Sequence, residues 1–119
     1  MNNLLKLCFL LLGVSIYSKK ANRIEGNYIG TIQNDCTEKI IINIYPKKKQ
    51  LYYLISINKQ KGKVHFTKDE NYTYIHLDKL EGVYRNDSIT FQNYGNSLNN
   101  YLRFKECGSK YLVFVKKTK

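Results

Sequence analysis

Asn100-Tyr101-Leu102-Arg103-Phe104-Lys105-Glu106-Cys107-Gly108-Ser109-Lys110-Tyr111-Leu112-Val113-Phe114-Val115-Lys116 is the stretch that decides the fold class. Leu102 and Phe104 alternate with Tyr101, Arg103 and Lys105, the period-two pattern of a half-buried strand. Glu106 to Ser109 has turn chemistry, and Lys110 to Lys116 places β-branched and aromatic residues on both faces, as in a covered or central strand. The segment therefore predicts a C-terminal hairpin. Cys107 stands where its last strand begins, and Cys36 stands where a first strand over Gly26 to Asn34 should end. If the first and last strands pair antiparallel, the two cysteines meet and a meander of strands closes on itself, removing the exposed edges of an open sheet.

Working back toward the N-terminus, the same signal repeats. Ile40, Ile42 and Ile44 share one face of a strand from Glu38 to Tyr45 that should stop at Pro46, followed by a turn at Lys47-Lys48-Lys49. Leu51 to Asn58 sets Leu51, Tyr53, Ile55 and Ile57 against Tyr52, Leu54 and Ser56. Val64 and Phe66 face Thr73, Ile75 and Leu77 across a turn at Lys68 to Asn71, with Thr67 opposite Tyr72. That register makes His65 and His76 diagonal neighbours, roughly 7–8 Å apart at the backbone. Asp78 to Gly82 connects to a brief strand at Val83-Tyr84, and Arg85-Asn86-Asp87 turns the chain into Ser88 to Gln92 with Ile89 and Phe91 inward. The expectation is an all-β domain, a small antiparallel meander barrel of about eight strands, with a two-sheet β-sandwich as the alternative.

The chain has 119 residues, enough for one domain. Residues 1–18 have the order of a cleaved signal peptide, with Lys6 ahead of an apolar run from Leu7 to Ile16 and Ser18 at the cleavage point. That run is too short to span a bilayer as a helix, which needs about 20 residues. The single β-barrel domain is then 19–119, periplasmic or secreted, with no membrane span in the mature form. Export removes Cys8 and places Cys36 and Cys107 in an oxidising compartment, where they form the one possible intramolecular disulfide.

Gly26-Asn27-Tyr28 at the head of the first strand resembles the Gly-x-Trp opening of lipocalins and related ligand-binding barrels, with Tyr28 in place of the tryptophan. The resemblance implies a barrel whose interior takes a small apolar ligand, reached past Tyr28. From Gln92-Asn93-Tyr94-Gly95-Asn96-Ser97 through Asn99, Tyr101, Phe104, Cys107, Lys110 and Tyr111, the chain resembles a group of small exported bacterial proteins. That likeness implies export and a paired cysteine, and supplies no activity.

The net charge is +11, carried almost wholly by lysine. A basic surface suggests an anionic envelope component as partner, such as lipopolysaccharide, anionic glycans or phospholipid headgroups. Nucleic acid is disfavoured, because its sites favour Arg forks and Arg23, Arg85 and Arg103 are scattered. The abundance of Lys, Asn, Ile and Tyr also fits an A/T-rich codon bias. Eleven tyrosines and no tryptophan add a second surface character: Tyr52, Tyr72, Tyr74, Tyr101 and Tyr111 fall on outer faces, where tyrosine suits protein interfaces.

Catalytic chemistry is not nominated. Asp69, Glu70, Asp78, Glu81 and Asp87 lie mainly in turns, and there is no phosphate-cradling loop, nucleophile elbow or paired-cysteine metal motif. Two histidines alone make an incomplete zinc site. We expect no enzyme, no cofactor and no metal, but an exported binding protein. Its variants are a carrier of a small apolar ligand or a periplasmic inhibitor or immunity protein that binds another protein. The candidate binding residues are Tyr94, Gly95, Asn96, Asn99 and Asn100, an amide-rich loop on a rigid sheet, with Asn93 at its start. The same amides could instead cap their own backbone and hold the last hairpin in register.

Overall fold

Alternation of large apolar and polar side chains commits each segment to a sheet with one wet and one dry face, and the dry faces here meet inside a barrel. The computed structural model describes residues 24–94 and 104–118. Eight antiparallel strands follow one another around it: β1 (Gly26–Gly30), β2 (Ile41–Lys47), β3 (Gln50–Ile55), β4 (Lys61–Lys68), β5 (Thr73–Leu77), β6 (Leu80–Arg85), β7 (Ser88–Gln92) and β8 (Tyr111–Lys116). Each strand pairs with the next, and β8 pairs back onto β1 through Ile29 and Val115. The ladder is continuous, so the architecture is the meander barrel and not the sandwich.

The interior is built from alternate positions of all eight strands. Tyr28, Ile42, Ile44, Tyr53, Ile55, Ile75, Leu77, Ile89, Phe91, Leu112 and Phe114 are buried there, with Ile40 just before β2. Phe114 sits edge-on to Phe91 at 5.9 Å between ring centroids and tilted against Phe104 at 6.0 Å. A barrel of eight short strands has little interior beyond its own side chains, and these are the side chains that point into it.

Several expectations need correction. Phe104 and Lys105 are not the hairpin partner of the last strand. Both edges of β8 are taken, by β7 on one side and β1 on the other, and Lys105 and Glu106 form a turn; the rest of the expected strand, 101–103, lies outside the described residues. β8 is central, as one of the two expected arrangements had it, and not covered, since Tyr111 is 55% and Val115 45% exposed on its outer face.

β1 ends at Gly30, four residues earlier than its sequence pattern suggests, and Ile32 points into solvent at 96% exposure. The chain turns away through a 3-10 turn, Ile32–Asn34, closed by Asp35 in a left-handed conformation. The buried side chain of Asn34 then stands in for the missing strand. Its Nδ2 donates to the Val113 carbonyl at 2.9 Å and its Oδ1 accepts from the Val113 N–H at 2.7 Å.

Pro46 does not stop β2. It pairs with Leu51 inside the β2–β3 hairpin, and the β1 ladder on its other side has already ended at the Gly26–Ile44 pair. Its missing N–H therefore costs no ladder hydrogen bond. The β4–β5 register is moved by two residues from the expected one: Thr67 pairs with Tyr74, and His65 lies directly opposite His76. The cause is Asp69, whose Oδ1 accepts from the N–H groups of Asn71 and Tyr72 and so takes Asp69 to Tyr72 into the turn. β6 begins at Leu80, not Val83, because Asp78-Lys79 alone reverses the chain between the Leu77–Leu80 pair.

Candidate functional site

The end of the barrel beyond β1 and before β8 is made by two irregular segments, 31–40 and 104–110, and the sequence leaves them no ladder of their own. They are joined by Cys36–Cys107, 71 residues apart in the chain, which is the expected disulfide. Hydrogen bonds flank it on both sides: Thr37 N–H to the Glu106 carbonyl at 2.9 Å, Gly108 N–H to the Asp35 carbonyl at 2.9 Å, and Ser109 Oγ to the Gln33 carbonyl at 2.6 Å. The two segments thus behave as a short substitute for sheet at a place where the barrel wall stops.

Asn93, the residue after β7, organises this end. It is buried, and its amide nitrogen faces the carbonyls of Phe104, Cys107 and Ser109 at 3.1 to 3.3 Å while its Oδ1 accepts from the Phe104 N–H at 2.7 Å. A buried side-chain amide bonded through both its nitrogen and its oxygen is held firmly, since leaving such a group unpaired costs about 1–3 kcal/mol. Asn93 is therefore a structural residue and not a group offered to a partner, which corrects the expectation for this one amide.

Of the candidate loop, Tyr94 is described and Gly95, Asn96, Asn99 and Asn100 lie outside the described residues. Tyr94 is 43% exposed, and its carbonyl accepts from Gln92 Nε2. It borders a surface cleft of about 590 Å³ whose other walls include Asp35, Thr37, Lys105, Glu106 and Gly108. The cleft mixes two carboxylates, an ammonium and an aromatic ring over a rigid, disulfide-bonded floor. That chemistry suits a polar, partly aromatic contact with another macromolecule; its described lining residues bring no histidine beside a hydroxyl or thiol.

The expected tyrosine face resolves into separate places. Tyr45 and Tyr52 stack on the outer wall of β2 and β3 at 6.1 Å with Lys47 above the Tyr52 ring. Tyr72 and Tyr74 lie at the β4–β5 turn, where Asp69 accepts from the Tyr74 hydroxyl and holds its pKa above the usual tyrosine value. Tyr111 is the β8 partner of Gln92, whose Nε2 donates to the Tyr94 carbonyl. Tyr101 lies outside the described residues.

His65 is exposed, and His76 is engaged by its neighbours, Nε2 with Thr67 Oγ1 at 2.9 Å and Nδ1 toward Glu81 at 3.8 Å. Among the described residues no group of three His, Cys, Asp or Glu is placed to hold a metal ion. Tyr28, the position of the lipocalin-like resemblance, is fully buried, its hydroxyl donating to the Ile24 carbonyl at 2.7 Å; burial, then Tyr84, raises its pKa.

Sequence reasoning missed the buried amides Asn34 and Asn93 and the interior contact of Tyr53 with Asp78. A polar residue just past the end of a strand was the available signal, but it is shared by every turn in this chain. No protein family, curated protein or solved structure matches the chain.

Proposed function

We propose that the chain is an exported, non-catalytic binding protein of the cell envelope, periplasmic or secreted, that meets a protein partner with its outside and not with its interior. The contact in this reading is the disulfide end: Tyr94, the cleft beside it and the outer ring of Tyr111. One observation carries the proposal. The interior positions are occupied by the barrel's own Tyr, Phe, Ile and Leu side chains, whereas Tyr94 keeps 43% of its surface exposed on a floor locked by Cys36–Cys107 and Asn93. Rigid scaffolds carrying exposed aromatics next to mixed charge are a common form of binding surface. The paired cysteines fit an oxidising compartment, and among the described residues no helix is long and apolar enough to cross a membrane.

A photo-crosslinking amino acid placed at Tyr94 in producing cells tests this. A discrete protein adduct at that position, absent when the crosslinker replaces Lys79, is the expected result; no adduct at Tyr94 removes the proposal. Titration with an apolar fluorescent dye is the companion measurement. Saturable one-to-one uptake would turn the reading toward a lipocalin-like carrier.

A further inference from the structure

Between Lys39 and Lys68 the chain has eight lysines, and all nine of its carboxylates lie outside that stretch. A composition bias toward lysine would not by itself clear every acid from a quarter of the chain. The stretch folds into three consecutive strands, β2, β3 and β4, which are neighbours in the barrel. Its inward positions carry the apolar core; Lys48, Lys49 and Lys59 lie in the turns that join these strands, and Lys47, Lys61 and Lys63 stand on their outer wall. There Tyr45 pairs with Tyr52, Tyr52 with Lys63, and Leu54 with Lys61, with Lys47 above the Tyr52 ring. Lys47, Lys61 and Lys63 are exposed, and Leu54 is 37% exposed among them. Asp78, which approaches Gly62 of β4, is hydrogen-bonded to Tyr53.

The hairpin tip adds an independent observation. Lys48 and Lys49 adopt φ of 51° and 66°, the left-handed pair of a type I′ turn, as Asn86 and Asp87 do at 50° and 60° in the β6–β7 turn. The second turn uses residues that tolerate this conformation; the first uses two lysines that do not. The chain thus keeps two more positive charges at the edge of the basic wall against its own backbone preference.

We infer that the outer wall of β2–β4 docks the protein on a lipid bilayer bearing anionic phosphate headgroups. Lysines on flexible stems are compact point charges that suit a fluid array of phosphates, whereas a fixed anionic ligand would favour the planar fork of arginine, which this stretch lacks. A partly exposed leucine and a stacked tyrosine pair within the lysine rim supply the amphipathic contact that interfacial regions favour. Each lysine held near an anionic surface strengthens binding, and salt screens the attraction. The wall lies on strands separate from the disulfide end, so this inference stands independently of the protein partner proposed there.

The test is co-sedimentation of the disulfide-bonded protein with phosphatidylcholine vesicles prepared with and without phosphatidylglycerol. Binding should require phosphatidylglycerol and weaken as salt rises. The pair Lys61→Gln and Lys63→Gln should weaken it about thirtyfold, and Tyr52→Ser should weaken it further. The charge-matched pair Lys110→Gln and Lys117→Gln should leave it within about twofold, because those lysines lie off the wall. Equal losses from the two pairs would reduce the effect to net charge and overturn the docking wall, as would equal binding to neutral vesicles or none to anionic ones. If the wall pair instead abolishes retention on heparin while vesicles fail to pellet the protein, the wall belongs to anionic polysaccharide and the lipid inference falls. Thermal midpoints of all variants check that each remains folded.

Discussion

The Asp78 carboxylate, on the β5–β6 turn, reaches across the barrel wall to accept a hydrogen bond from the buried Tyr53 hydroxyl, and it does so directly over Gly62. Tyr53 pairs with Gly62 in the β3–β4 ladder, and a Cβ at Gly62 would collide with the Asp78 carboxylate. Gln60 completes the cluster by donating to the same hydroxyl at 3.1 Å. Glycine is thus needed here for space. Gly62→Ala should displace Asp78 and lower stability by about 1–3 kcal/mol, a fall in thermal midpoint of roughly 4–8 °C per kcal/mol for a domain of this size. The double variant Gly62→Ala with Asp78→Ala should lose no more than Asp78→Ala alone, which a thermal-melt double-mutant cycle measures.

Burial, followed by the hydrogen bond to Asp78, raises the Tyr53 pKa to about 12 from the ordinary 10.0. The folded state therefore holds this proton more tightly than the unfolded chain. Its contribution to stability is complete below pH 10 and disappears as pH rises through 12. Urea denaturation at stepped pH should show stability falling across that interval, and Tyr53→Phe should flatten the fall without abolishing it, because Tyr28 and Tyr84 are shifted in the same direction.

Replacing Asn93 tests whether the disulfide end is held by one amide. Asn93→Ala leaves the Phe104 N–H without its acceptor and takes a donor from the Cys107 and Ser109 carbonyls, while the Phe104 carbonyl keeps the Cys107 N–H, and should cost about 3 kcal/mol in urea titration. Asn93→Asp should cost more, since a buried carboxylate would face those carbonyls. Tyr94→Ala, one residue on and exposed, should change stability by under about 0.5 kcal/mol.

Cys36–Cys107 closes a loop of 71 residues. On the loop-entropy argument its removal should cost about 4 kcal/mol, seen as a lower urea midpoint after reduction or in the Cys36→Ser, Cys107→Ser double variant. Mass spectrometry of oxidatively folded protein should find no free thiol at either position; two free thiols would remove the bridge.

The strained tip offers a stabilising change. Lys48→Asn with Lys49→Gly gives the left-handed positions of the β2–β3 turn the residues they favour, and should raise stability by about 1–2 kcal/mol. An unchanged or lowered thermal midpoint would show that these lysines carry no strain.

What was legible from residues alone follows from how locally each feature is determined. Ser88 to Gln92 and the buried face of Ile40, Ile42 and Ile44 were readable because alternation is a property of the segment itself. Closure through Cys36 and Cys107 was readable because two cysteines in one barrel leave one pairing. The β4–β5 register was not, since Asp69 decides by two hydrogen bonds which residues enter the turn, and a shift of two preserves every face. The end of β1 was hidden because Asn34 substitutes a side chain for backbone, and Lys105 could not be told from strand until β8 was seen to have both neighbours. Of the candidate site, Tyr94 is exposed beside the cleft, while Asn93 proved to be buried and structural; no periodicity distinguishes two adjacent polar residues.

The place of β8 between β7 and β1 also governs when the domain can form during synthesis. Every preceding strand finds its neighbour as soon as the next hairpin appears, but the seam is made by Tyr111–Lys116 alone. A chain lacking that strand has two unsatisfied edges, at β1 and β7, although both cysteines of the bridge precede it. Closure of the barrel therefore waits for Tyr111–Lys116, and until that strand is in place the β1 and β7 edges stand open to mispairing with other chains.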